Sequence, residues 1–267
     1  MTVSTSFDAI LADERRSALR GSALVAGIVG ACIASLWVAG FFDGQRFLDS
    51  GPAISQLASE MVPPDFSRWQ SWLRPLLDTL AMSIAGTALA VVFSLPLALL
   101  AAPNTSPHPG VYFVVRMLLA ALRSVPEIIL GVLFVAAVGF GALPGVLALA
   151  LHSVGMVGKF YAEAIEHVDP KPLEAARAAG ATSMQVVTHA VLPQVLPQLT
   201  DVTIYRWEYH FRASAVLGIV GAGGIGFELM AALRLLNYDQ VSAILLAILA
   251  CVVIVDSIGA YLRKSLK

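Results

Sequence analysis

Ionisable side chains stand inside stretches that are otherwise apolar, and their spacing limits what they could do. Arg123 and Glu127 are four apart. On a helix that is one turn, so they share a face and can pair. The pair reads as a gate or an anion-sensing site in a membrane path, or as a structural ion pair near an interface. Arg206, Glu208, His210 and Arg212 crowd a second apolar stretch. They read as a positive pathway for a small anion, or as interhelical pairing and headgroup contacts. Gly221, Gly223 and Gly226 satisfy G-x-G-x-x-G, but no strand–turn–helix context surrounds them, so a dinucleotide site is not indicated. Together with Gly224 they read as a break at the outer end of a membrane helix, able to serve as a hinge or gate. Among the five histidines there is no HExxH or paired-ligand spacing, so no metal site is expected. His152 falls within a span and suits a hydrogen bond between helices. Cys32 and Cys251 sit in apolar runs without CxxC spacing, which suggests neither a disulfide framework nor zinc.

Hydrolytic and nucleotide chemistry find no residues to carry them. No lysine closes a P-loop: Lys264-Ser265 comes nearest, but Arg263 occupies the place of the second glycine. Ser/His/Asp and paired-carboxylate patterns are also missing, so the chain is not expected to be an enzyme.

The elements that must position these residues are membrane helices. The chain is 58% hydrophobic and 13% charged, against roughly 25% charge in soluble domains. A net charge of -1 offers no basic surface for nucleic acid. Spanning the hydrocarbon takes about 20 apolar residues, and Gly21 to Phe42, Leu80 to Ala102 and Val241 to Leu262 meet that length, the last interrupted by Asp256. The first run also resembles the start of a signal peptide, but it is long for one and no small-x-small cleavage site follows. From Glu127 to Lys159 no formal charge appears between the two ends, which is too long for one crossing. Gly139 to Gly145 supplies the turn, giving helices over about 111–138 and 144–166. A sixth span, 199–220, carries the charges named above, and each central arginine costs about 2.5–3.5 kcal/mol.

Six spans put both termini on the cytoplasmic side. Nine basic residues then lie inside (Arg15, Arg16, Arg20, Lys159, Lys171, Arg177, Arg263, Lys264, Lys267) and four outside (Arg46, Arg68, Arg74, Arg234), which is the expected bias. The expected organisation is an inner tail at 1–20, with a loose polar stretch before Arg15, and a first span at 21–42. An outer loop follows at 43–75, interfacial, re-entrant or irregular, then a permease domain at 76–262 and a tail at 263–267. The large inner loop covers 167–198.

That inner loop is the most informative stretch. Asp169 can cap a helix opened by Pro170, an alanine-rich segment follows, and Gly180 allows a left-handed stop. Thr182 with Gln185 then forms a capping box for the next helix. Glu174-Ala175-Ala176, Gly180 and Leu192-Pro193 at their spacing resemble the EAA loop of bacterial ABC importer permeases, with Ala190 where that family commonly has isoleucine. Arg123-Ser-Val-Pro-Glu127, Leu151 to Lys159, Ala162 to Glu166, Tyr205 to Glu208 and Gly221 to Gly226 are similar to phosphonate-uptake permeases.

The resemblance implies an all-α integral membrane protein of the type I importer kind, with six transmembrane helices, in the bacterial plasma (inner) membrane. It implies that Glu174, Ala175, Ala176, Gly180, Leu192 and Pro193 couple to an ABC ATPase dimer, which binds the ATP and magnesium. It implies further partners, namely a second copy of the permease and an extracytoplasmic phosphonate-type binding protein. The implied cargo is phosphonate, phosphite or phosphate, with Arg123, Glu127, Arg206, Glu208, Arg212, Gly221, Gly223 and Gly224 as its path or gate. The reading from a different class is a secondary transporter driven by an ion gradient, for which Asp256 and Glu127 would supply coupling carboxylates.

Overall fold

The computed structural model describes residues 3–266, with the side chains of 3–10 and 47 left aside. Among the described residues every regular element is helical. The chain forms two compact units, one ending at Ser59 and the other beginning at Glu60.

The N-terminal unit holds α1 (Val3–Val38) and most of α2 (Gly44–Glu60). The stretch expected to be loose before Arg15 is helical from Val3. Ala12 to Arg20 are mostly strong helix formers, so nothing ends the helix at the span's edge. Leu11–Val38 is long and apolar enough to cross a membrane. The outer loop expected at 43–75 is also largely helical: it contains α2, and α3 already begins at Trp69.

The second unit holds α3 (Trp69–Ala101), α4 (Pro109–Ser124), α5 (Glu127–Val138), α6 (Ala142–Glu166), α7 (Pro170–Ala178), α8 (Ser183–Val186), α9 (Leu192–Ile219), α10 (Ile225–Arg234) and α11 (Tyr238–Ser265). A stripe of small side chains runs down α3 at spacings of three and four: Thr79, Ser83, Gly86, Ala90, Ser94, Ala98 and Ala101, all buried. Where lipid is as apolar as leucine, small residues gain stability by letting backbones approach closely. α3 accordingly packs along α6, where a Cβ on Gly86 would stand 3.0 Å from the Leu149 Cβ. α6 is the central helix and also touches α4, α5 and α9.

The span expected at 111–138 is two helices bent by 82°. Pro126 disfavours helix at the preceding residue, and Val125 is extended at φ −90° and ψ 118°. The freed Val125 carbonyl accepts a hydrogen bond from His152 Nδ1 at 2.9 Å, which explains a histidine in the middle of α6. The turn at 139–141 forms as expected, with Gly139 and Gly141 at φ +88° and +131°. α6 begins at Ala142, ahead of the expected start at Pro144, so Pro144 lies inside its first turn, a position where its missing N–H costs nothing.

By length and apolarity α1, α3, α6 and α11 can span a membrane, and the bent α4–α5 pair makes a fifth crossing if counted as one. α9 has the length but carries Asp201, Arg206, Glu208, His210 and Arg212. The short α10, which hydropathy does not mark, follows the glycine break and returns the chain to α11.

Candidate functional site

The charges of α9 divide between two faces. Arg206 and His210, one turn apart, point towards α3, α5 and α6, while Glu208 and Arg212, also one turn apart, point towards α11. Arg206 is 6% exposed and His210 fully buried. Arg206 Nε donates to the Ser153 hydroxyl at 2.8 Å, and its guanidinium lies 4.3 Å from the Tyr209 ring centre. The Thr87 hydroxyl donates to the Ser83 carbonyl at 2.7 Å, so its lone pair is left to accept from His210 Nδ1, also at 2.7 Å. Nε2 is bonded to the Ser153 hydroxyl. With the Thr87 proton committed to the Ser83 carbonyl, Nδ1 carries the proton of its own bond. Arg206 Nη2 is buried without a hydrogen-bond partner, so the cluster has one donor group left over.

Glu127 does not pair with Arg123. The break at Pro126 turns α5 away from the last turn of α4, so the one-turn spacing no longer applies. Glu127 instead accepts from the Tyr209 hydroxyl and lies 3.4 Å from His152 Nε2. Glu127, Tyr209, Arg206, Ser153, His210 and Thr87 therefore form one connected polar cluster drawn from α3, α5, α6 and α9.

On the other face, Glu208 pairs with Arg263 at 2.8 Å. Arg212 Nη1 donates to both carboxylate oxygens of Asp256 at 3.0 and 3.1 Å. Gly259 of α11 is buried against Glu208, and a Cβ there would lie 1.8 Å from Oε1.

The glycine break holds three left-handed residues, Gly221, Gly223 and Gly224, at φ +99°, +73° and +72°. Only glycine takes these values cheaply. The break is packed rather than loose: Gly141 N–H donates to the Gly221 carbonyl at 3.3 Å. Thr79 Oγ1 accepts from Ile225 N–H at 2.9 Å, capping α10.

At the opposite end of α6 lies the loop hairpin. Asp169 caps α7 by accepting from Lys171 N–H at 3.0 Å. Gly180 stops it at φ +83°, and Ala181 N–H returns to the Ala176 carbonyl at 3.0 Å. The Thr182–Gln185 capping box is present. Leu173 anchors the hairpin inward, while Glu174, Ala175 and Gly180 are exposed, Ala176 and Leu192 are half-buried and Pro193 is exposed. One π-helical turn, Val187–Val191, joins α8 to α9. It closes with Leu192 N–H on the Val187 carbonyl, and such a widened turn admits Pro193 without its ring striking the preceding turn.

Residues 94–267 match the family model described as "Binding-protein-dependent transport system inner membrane component". The chain belongs to this transport-component family. It is thus a non-catalytic, multi-pass permease subunit of the bacterial inner membrane. Among its relatives, "Phosphite transport system permease protein PtxC" of Stutzerimonas stutzeri is 62% identical, over 97% of either chain. "Phosphate-import permease protein PhnE" of Mycolicibacterium smegmatis is 42% identical over 88% of this chain, which spans 44% of that longer protein. The membrane chain of an inward-facing structure of the MetNI methionine ABC transporter superposes with a TM-score of 0.65. It is 24% identical and is covered over 96% of its length, against 73% of the present chain.

As a member of this family the chain has the type I importer fold that the inner-loop motif implied. Sequence reasoning singled out Arg206, Glu208, Arg212 and Glu127, and the structure places Arg206 and Glu127 in one cluster and the other two in pairs to α11. It did not connect Ser153, Thr87 and Tyr209 to them. Thr87 lies one turn from Ser83 in the small stripe of α3, and Ser153 follows His152, but which helices meet there depends on packing.

Proposed function

We propose that this chain, paired with a second copy, forms the membrane pathway of an ATP-driven importer for a small phosphorus oxyanion, with phosphite the first cargo to test and phosphonate and phosphate next. The observation that carries the reading is the 62% identity to a phosphite permease over nearly the whole length. The buried Arg206, with a guanidinium nitrogen that no group among the described residues satisfies, supports an anion-facing path. A cation held inside low dielectric attracts an anion strongly, and an orphan donor costs free energy until a ligand fills it.

In this reading α1, α3, the α4–α5 pair, α6, α9 and α11 are the six spans, with both termini and the 167–198 loop cytoplasmic. Glu174, Ala175, Ala176 and Gly180, with Leu192 and Pro193 behind them, receive the ATPase dimer, which binds the ATP and magnesium. A soluble binding protein delivers cargo from outside. Arg206, Glu127 and the α11-facing Glu208 and Arg212 line or brace the path, and Gly221, Gly223 and Gly224 let its outer end change shape. Binding and hydrolysis of ATP move the helices only through their differential affinity for inward and outward packings.

The test is reconstitution of the complex in proteoliposomes with its binding protein, following uptake of phosphite, methylphosphonate and phosphate with and without ATP. ATP-dependent uptake, reduced at least tenfold by Arg206→Gln in an assembled complex, is expected. Uptake that follows a proton or sodium gradient without ATP would overturn it.

A further inference from the structure

Between α4 and α6, at the end of α6 that leads into the loop hairpin, Ala101, Arg116, Leu119, Arg123, Lys159 and Ala162 line a cavity of about 60 Å³. Small residues create it. Gly155 brings α6 so close to α4 that a Cβ would stand 2.7 Å from the Arg123 backbone nitrogen, and a Cβ on Gly158 would stand 2.7 Å from the Leu119 side chain. The Gly155 contact sets the α4 and α6 backbones directly against each other beside the cavity.

Three of the six lining residues are cations, and they are unequally matched. Arg116 pairs with Glu166 and donates from Nε to the Ala101 carbonyl at 3.1 Å. Lys159 pairs with Glu163 at 3.3 Å. No ion pair or hydrogen bond to its side chain is found for the half-buried Arg123 among the described residues. Its place in the last turn of α4 suits a positive charge next to the helix carbonyls, yet that leaves the guanidinium fork unused. Two carboxylates against three cations give the site one net positive charge. A planar fork beside a second guanidinium and an ammonium is the donor set that grips tetrahedral oxyanions. One water needs about 10–15 Å³ of such space, so this cavity has room for a small anion.

We propose that the cavity binds a phosphate-type oxyanion through Arg123, with Arg116 and Lys159 supporting it. The same chemistry is offered by the free anion and by the phosphate of a lipid headgroup. The site is distinct from the Arg206 cluster, and its test requires no transport.

Binding of radiolabelled orthophosphate is measured on the full chain in nanodiscs of neutral phosphatidylcholine. The chain is also placed in nanodiscs with phosphatidylglycerol, where protection of Arg123 from an arginine-modifying dicarbonyl is followed by mass spectrometry. Saturable binding of about one orthophosphate per chain, weakened at least tenfold in Arg123→Gln and less in Arg123→Lys, which keeps the charge but not the fork, is expected and assigns the free anion. Protection seen only with phosphatidylglycerol, with no orthophosphate bound in neutral discs, assigns the headgroup. Arg123→Lys, together with the elution profile of Arg123→Gln in detergent, guards against a folding artefact. Equal binding by wild type and Arg123→Gln, or binding lost in Arg206→Gln but not in Arg123→Gln, overturns the proposal, as does neither binding nor protection in either disc.

Discussion

Gly226→Ala tests whether the glycine break is a packed joint or a loose linker. An added Cβ at Gly226 would stand 1.7 Å from the Ala215 carbonyl oxygen and 2.8 Å from its carbon. Both atoms are backbone of α9, so no rotamer change relieves the contact. Real Cβ atoms keep at least 3.0 Å away, so α10 must retreat by about 1.3 Å. Forced overpacking costs about 1–3 kcal/mol. The retreat also pulls Ile225 N–H off Thr79 Oγ1, now 2.9 Å away and buried, and an unmet buried donor costs about 1–3 kcal/mol more. The sum is on the order of 4 kcal/mol. At about 2–4 °C per kcal/mol for chains near this size, the melting temperature should fall on the order of 10 °C. Gly145→Ala is the matched control. Its Cβ would meet Met82 Sδ at 2.5 Å and the Ala222 Cβ at 3.3 Å, side-chain atoms of which the thioether is adaptable, and it should cost less than Gly226→Ala, at the low end of about 1–3 kcal/mol. Thermal unfolding of both variants in detergent, monitored by size exclusion, decides between them. A Gly226→Ala protein that melts within 2 °C of wild type, or no lower than Gly145→Ala, would refute the close-packed joint.

Three further outcomes follow from the same contacts. Gly180→Val should leave insertion intact, since nothing lies within 4 Å of a Cβ there. It should nevertheless strain a φ of +83° by about 1–3 kcal/mol, displace the hairpin and lower transport-coupled ATP hydrolysis; wild-type coupling in reconstituted complex would count against the docking role. Ser153→Ala strands both Arg206 Nε and His210 Nε2 and should cost about 2–4 kcal/mol. Ser94→Ala loses one bond, to the Val154 carbonyl, and should cost less; equal melting of the two would deny the cluster. Arg212→Gln and Asp256→Asn, whose side chains are 44% and 45% exposed, should each destabilise by about 0.5–1 kcal/mol, while the double variant recovers part of the loss through a coupling of similar size. Strict additivity in a double-mutant cycle would show that their contact at 3.0 Å contributes nothing.

Much of this protein is readable along the chain because lipid imposes rules that local sequence obeys. A spanning helix must satisfy its own backbone and be apolar for about 20 residues, so α1, α3 and α11 are visible in composition alone. The loop hairpin is visible for a different reason: the Asp169 cap, the Gly180 stop and the Thr182–Gln185 box act between residues within a turn of each other. Tertiary structure decided what distance along the chain conceals. Arg123 and Glu127 share a turn in sequence, yet the 82° bend at Pro126 parts them and gives Glu127 to Tyr209 and His152. The charges of α9 look alike in a hydropathy trace, but helical rotation sends Arg206 into a cluster with α6 and Glu208 to α11. A buried charge takes its meaning from the partner that packing brings within a few ångströms, and for Glu127, Arg206 and Glu208 that partner lies on another helix, far along the chain.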